Sequence, residues 1–219
     1  MKRLIFIFLL LPAIVFADDN WSGQAKIYKT MPTDTERIVQ TSTGLQVSLR
    51  HIKTGLYPFL SYDITPIRFG GQRGADIDLW GFGFGIEREV IDKLTLFCQV
   101  GWYQPQWEHN GEPLVFGSEH LTEGLWIYTN QKLVPPFGQI NFPMYSLEYH
   151  GNIGGVVGAN FAIPLSDNID FNLSGAYRYL KLQEMIKGIF SIDNPDCWQY
   201  KQDRDFSGWQ VGLGIEWRF

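Results

Sequence analysis

The last eleven residues constrain the fold most. Residues 209–219 read Trp-Gln-Val-Gly-Leu-Gly-Ile-Glu-Trp-Arg-Phe. Trp209, Val211, Leu213, Ile215, Trp217 and Phe219 take the odd positions, and every even position is polar or glycine. Apolar residues at a period of two share one face of a strand, whereas a helix would scatter Trp209, Val211 and Leu213 around its axis. A chain that ends this way must shelter one face of a β-sheet.

The pattern recurs upstream. Residues 169–179 place Ile169, Phe171, Leu173, Tyr177 and Tyr179 opposite Asp170, Asn172, Ser174 and Arg178. Residues 145–161 read as one strand, with Tyr145, Leu147, Tyr149, Ile153, Val157 and Phe161 opposite Ser146, Glu148, His150, Asn152 and Asn160. Residues 94–103, 78–87, 57–67 and 44–52 alternate in the same way, and 21–28 is the weakest case, with Trp21, Ala25 and Ile27 opposite Gln24 and Lys26. Pro58 and Pro66 are expected to shorten their strand or mark an irregularity. Lys53–Gly55, Val90–Lys93 and Pro164–Asn168 are short connections, while Thr30–Thr43, Gly70–Ile77, Pro105–Pro143 and Gln183–Phe206 are long. Eight antiparallel strands with short turns at one end and long loops at the other predict an all-β, up-and-down transmembrane β-barrel.

A soluble barrel would turn the apolar face inward, so its direction matters. The polar face here carries many glycines, a few charges and almost no lysine, which suits a narrow lumen better than a water-facing surface. Trp102, Tyr103, Tyr177, Tyr179, Trp209 and Trp217 lie near strand ends, where interfacial aromatic girdles sit. Mean hydropathy of −0.12 argues against membrane helices and is compatible with a barrel in which only alternate residues meet lipid. The 23 acidic residues outnumber 18 basic ones, which speaks against a nucleic-acid partner. Two cysteines make no disulfide framework. Cys98 falls on the outward face of its strand, and Cys197 falls in a long loop.

The N-terminus reads as a secretory signal peptide. Lys2 and Arg3 precede an apolar run from Leu4 to Phe16, and Val15 and Ala17 provide small-residue cleavage positions before Asp18. The run is shorter than the ~20 residues of a spanning helix. The expected division is a signal peptide at 1–17 and a barrel domain at 18–219, cut between Ala17 and Asp18. Losing Lys2 and Arg3 takes the net charge from −5 to −7.

With this signal, these Gly-rich alternating hairpins and a terminal strand ending in Phe219, the chain resembles the small outer-membrane β-barrel proteins of Gram-negative bacteria, of the OmpA, OmpX and OmpW types. The resemblance implies a cell outer membrane location, with lipid and lipopolysaccharide as surroundings. It also implies that Trp209, Val211, Leu213, Ile215, Trp217 and Phe219 form the signal read by the barrel-assembly machinery.

Counting positions predicts a lumen charge network of Arg50, Asp63, Glu87, Glu148, His150, Arg178, Glu216 and Arg218. Charges confined in so narrow an interior must pair. Catalysis is not expected. Lipid A deacylases carry a His followed two residues later by Ser, and this chain has His150-Gly151-Asn152. Ser118, Glu119 and His120 read as solvated loop residues. His109 and His120 with Glu108, Glu119 and Glu123 match no established metal spacing, so neither metal nor cofactor is expected. The expected function is a non-enzymatic structural, adhesive or surface-recognition role. The alternatives are a narrow channel for small or apolar solutes and a lipid-modifying enzyme. Recognition would belong to the long loops at 105–143 and 183–206.

Overall fold

A computed structural model of the chain describes residues 20–33, 39–69, 72–107, 114–116, 144–189 and 198–219. The expected signal peptide and its Ala17–Asp18 junction lie outside these residues. So do Cys197 and the loop residues Glu108, His109, Ser118, Glu119, His120 and Glu123.

Eight strands close a barrel: β1 (Trp21–Pro32), β2 (Ser42–His51), β3 (Leu56–Phe69), β4 (Gln72–Ile91), β5 (Leu94–Trp107), β8 (Asn152–Ser166), β9 (Ile169–Tyr179) and β12 (Gly208–Arg218). Every neighbouring pair is antiparallel, and β1 pairs with β12 to complete the wall. The eight wall strands fall where the alternation predicts, most with longer ends, but the single strand expected at 145–161 is broken at Gly151 into Met144–His150 and Asn152–Ser166, and only the second belongs to the wall. The weak N-terminal segment is a full strand that pairs with β12 from Ser22↔Arg218 to Pro32↔Gly208. β3 runs through both Pro58 and Pro66, but its pairing with β2 stops at Phe59, next to the missing N–H of Pro58.

Burial settles the direction of the apolar face. Outward positions expose large apolar side chains: Ile27, Phe82, Phe84, Val100, Ile153, Val157, Trp209, Val211, Leu213 and Ile215, with Phe84 at 73%. Inward positions bury Lys26, Gln46, Ser61, Asp63, Gln99, Asn160, Asn172, Arg178, Gln210 and Glu216. In water, leaving one such apolar side chain exposed would forfeit roughly 1.5–3 kcal/mol, and the belt repeats that loss all round the barrel. A continuous apolar exterior around a polar interior is stable only in lipid.

The ends differ. At one end β2–β3, β4–β5 and β8–β9 are joined by short turns, and one turn needs glycine. Gly55 has φ +72°, and a Cβ there would stand 1.9 Å from the Glu87 carbonyl oxygen. At the other end four further strands, β6 (Leu114–Phe116), β7 (Met144–His150), β10 (Lys181–Ile189) and β11 (Trp198–Asp205), form a second sheet in the order β11-β10-β7-β6. That order repeats the wall order β12-β9-β8-β5, so each flap strand extends the wall strand it is joined to in sequence. The loops expected at 105–143 and 183–206 therefore contain β6 and most of β10 and β11. The long loop expected at Gly70–Ile77 is also largely strand, since β3 and β4 pair to Phe69↔Gln72.

Alternation hides these strands because the environment inverts above the membrane. Ile67, Ile77, Leu79, Leu180 and Leu182 now point inward and are buried, while Lys181, Gln183, Lys201 and Asp203 point away from that core. Together with Val39, Tyr103, Tyr149 and Phe206 the inward residues form an apolar core between the flap and the projecting β3–β4–β5 wall.

Candidate functional site

The lumen is stacked in four layers. At the short-turn end the Arg50 guanidinium bridges Glu216 and Glu87, with Arg50 Nη1 3.5 Å from Glu87, and its Nε donates to Ser22 Oγ. Thr95 Oγ1 and Asn160 Nδ2 donate to Glu87 at 2.5 and 3.0 Å, Asn172 donates to Glu216, and Arg218 pairs with Asp170. Arg50, Glu87, Thr95, Asp170, Asn172, Glu216 and Arg218 line a cavity of about 620 Å³ that opens at this end, together with Arg88, Glu89, Asp92 and Lys93.

Above it lies a row of Lys26, Gln46 and Ser61. The Lys26 ammonium sits 4.9 Å from the Phe97 ring centre and 5.8 Å from that of Tyr28. The third layer is a saturated charge cluster. Tyr28 OH donates to Asp63 Oδ2 at 2.8 Å, and Arg178 Nη1 donates to Asp63 Oδ1 at 3.2 Å. Arg178 Nε reaches the Phe206 carbonyl at 3.3 Å, tying the wall to the chain returning from the flap. Asp63 and Arg178 are 0% and 1% exposed. Gly44 makes room for this arrangement, because a Cβ there would meet the Tyr28 ring at 2.5 Å. The apolar core is the fourth layer, and it covers the cluster.

Six of the eight residues expected in the lumen network are there, in two separate groups. Arg50, Glu87, Glu216 and Arg218 belong to the open cavity, and Asp63 and Arg178 to the sealed cluster. Glu148 and His150 are not in the lumen. They lie on β7 in the flap, and His150 is exposed. The cause is a one-residue slip at Gly151. Continuing the pairing Gly155↔Tyr179 would set His150 against Glu184, but Tyr149 takes that place and His150 pairs with Gln183. A slip of one residue turns every preceding side chain to the other face. Tyr149 is buried instead, and its hydroxyl donates to Glu184 at 2.6 Å, alongside Arg204 Nη2 at 2.9 Å and the Gln202 amide. Side-chain parity read across Gly151 cannot find this flap cluster. Lys26 and Asp170 also face the lumen, and their even, polar positions on their strands are the signal that could have added them to the network.

Trp209, Val211, Leu213 and Ile215 face outward, as the terminal alternation predicts. Trp217 lies over Gly23 of β1, where a Cβ would stand 2.4 Å from the indole ring, so it covers the seam that closes the barrel. Cys98 faces outward and is exposed.

No sequence family and no curated protein matches this chain. Solved structures do. The outer membrane protein OprG from Pseudomonas aeruginosa aligns over 91% of this chain and 95% of its own at 13% identity, with a TM-score of 0.50. A major outer membrane protein from Thermus thermophilus aligns over 91% and 99% at 9% identity and a TM-score of 0.48. Ail from Yersinia pestis aligns over 91% and 99% at 14% identity and a TM-score of 0.40. The likeness to OprG, together with the closed eight-strand wall, shows that the chain has the fold of a small outer-membrane β-barrel.

Proposed function

We propose that the chain is a non-enzymatic outer-membrane barrel, sealed at its outer mouth, that acts through the exposed flap in surface recognition or adhesion. The supporting observation is the seal. The Tyr28–Asp63–Arg178 cluster and the apolar core above it occupy the lumen between the open cavity and the flap. The short-turn end then faces the periplasm and the flap faces outward, as in barrels with short periplasmic turns. Reconstitution in a planar bilayer tests the seal, and steady single-channel conductance from the intact barrel would overturn it. Recognition is tested by replacing Lys181, Gln183, Lys201 and Asp203 together with alanine. The yield of folded barrel should hold and surface binding by expressing cells should fall; undiminished binding removes the flap from the role.

The cavity of about 620 Å³ favours a second reading, a narrow channel whose outer half opens. The same conductance record decides it. A lipid-modifying activity would show as a shift in lipid A mass on expression, and none is expected.

Two biogenesis steps belong to this reading. The mature chain should begin at Asp18 in an outer-membrane fraction. Deleting Phe219 should lower the yield of folded barrel while export across the inner membrane continues. Unchanged outer-membrane levels would remove Phe219 from the assembly signal.

A further inference from the structure

We propose that the middle of the lumen holds a binding site for one small anion of halide size, formed by Lys26, Gln46 and Ser61. The three stand side by side on β1, β2 and β3, through the cross-strand pairs Lys26↔Gln46 and Gln46↔Ser61. Directly opposed side chains in such pairs have Cβ atoms about 5 Å apart. The row continues on either side to Gly214 and Gly81, which contribute no side-chain acceptor. All three residues are at least nine-tenths buried, at 6%, 5% and 3% exposure.

Beside the Gln46 and Ser61 oxygens, they present donors without partners. Lys26 has no hydrogen bond or ion pair among the described residues, and its ammonium meets only the Phe97 and Tyr28 rings. The Gln46 amide nitrogen and the Ser61 hydroxyl likewise have no partner among the described residues. Of the carboxylates in the adjoining layers, Asp63 is engaged by Tyr28 and Arg178, and Glu87 by Arg50, Thr95 and Asn160. Each attracts the ammonium over distance, and neither is bonded to it. An ammonium has three donors, a primary amide two and a hydroxyl one. A water molecule accepts two hydrogen bonds and brings two donors of its own into a row already rich in them. A halide accepts all of these donors and offsets a buried positive charge. The buried Tyr28 and Phe97 rings flank the ammonium, and buried Phe59 precedes Ser61 on the same face of β3, so aromatic side chains bound the row and favour a small ion. The row lies on the cavity's side of the Tyr28–Asp63–Arg178 cluster, so an ion reaching it from the short-turn end would not cross the seal.

Crystals of the intact barrel grown in sodium bromide supply the test. An anomalous bromide peak should touch Lys26 Nζ and Gln46 Nε2 and should vanish in Lys26→Met. Thermal stability in micelles should be higher in chloride than in gluconate at equal ionic strength, because gluconate is too large for the row and a ligand bound only by the native state stabilises it. Gln46→Leu should reduce that difference, and Lys26→Met should abolish it. Three outcomes overturn the proposal: water alone at the row in saturating bromide, a peak that persists in Lys26→Met, or equal stability in the two salts. If Lys26→Met fails to fold, the bromide map of the unaltered barrel and the chloride–gluconate comparison still decide.

Discussion

The two ends of the lumen hold charge in opposite ways. At the short-turn end Arg50, Glu87, Glu216, Asp170 and Arg218 surround an open cavity, and the Arg218 side chain is 47% exposed. Toward the flap Asp63 and Arg178 are shut away under an apolar core. The wet end can screen a lost partner with water. At the dry end nothing replaces one. The same residue types therefore give a tolerant, accessible mouth at one end and a rigid stopper at the other.

The largest effect should come from the dry end. Arg178→Ala leaves Asp63 buried without its cation and should cost about 3–5 kcal/mol, read by urea unfolding in lipid vesicles. A loss below about 1 kcal/mol would mean that water reaches the cluster, and the contrast between the ends would collapse. Leu180→Ala opens a hole in the core over that cluster and should cost roughly 2–5 kcal/mol, depending on how far the flap settles into it. Arg50→Ala removes the cation shared by two acids beside open water. Its cost should fall between the ~3–5 kcal/mol of a sealed pair and the ~0–1 kcal/mol of an exposed one. A loss equal to that of Arg178→Ala would show the lower cavity to be as dry as the upper cluster. The smallest effect is expected from His150→Ala, within about 0.5 kcal/mol, because the slip at Gly151 leaves that ring on the flap surface. A larger loss would restore His150 to the interior and contradict the register.

The wall is legible in the sequence because lipid imposes one rule along its whole height: apolar out, polar or glycine in. Residues 209–219 and 169–179 follow it closely and carry their strands almost to the residue. The flap is not legible, because the rule reverses where lipid gives way to water. Around Leu79 and Trp80 an inward and an outward apolar residue are adjacent, and period two dissolves into a short apolar run. Gly151 hides the second break, since a single unpaired residue leaves no mark in composition and still turns His150 to the exposed face of the flap. The candidate site shows the same division. Asp63, Glu87, Arg178 and Glu216 follow from counting along uninterrupted strands. Their separation into a wet and a dry group depends on the apolar core above, which joins Val39 to Phe206 across most of the chain.

The shared order of flap and wall bears on how such a molecule can change size. Each flap strand lies beside the neighbours its own wall strand already has. The register that pairs Gly208 with Arg178 in the wall is the one that pairs Asp205 with Lys181 in the flap. Two residues added at the tip of each arm of this hairpin would raise the flap by about 6–7 Å and leave every wall contact as it was. The flap half of the protein can thus lengthen or shorten by tandem steps, as a telescope does, with the lipid-facing barrel held constant.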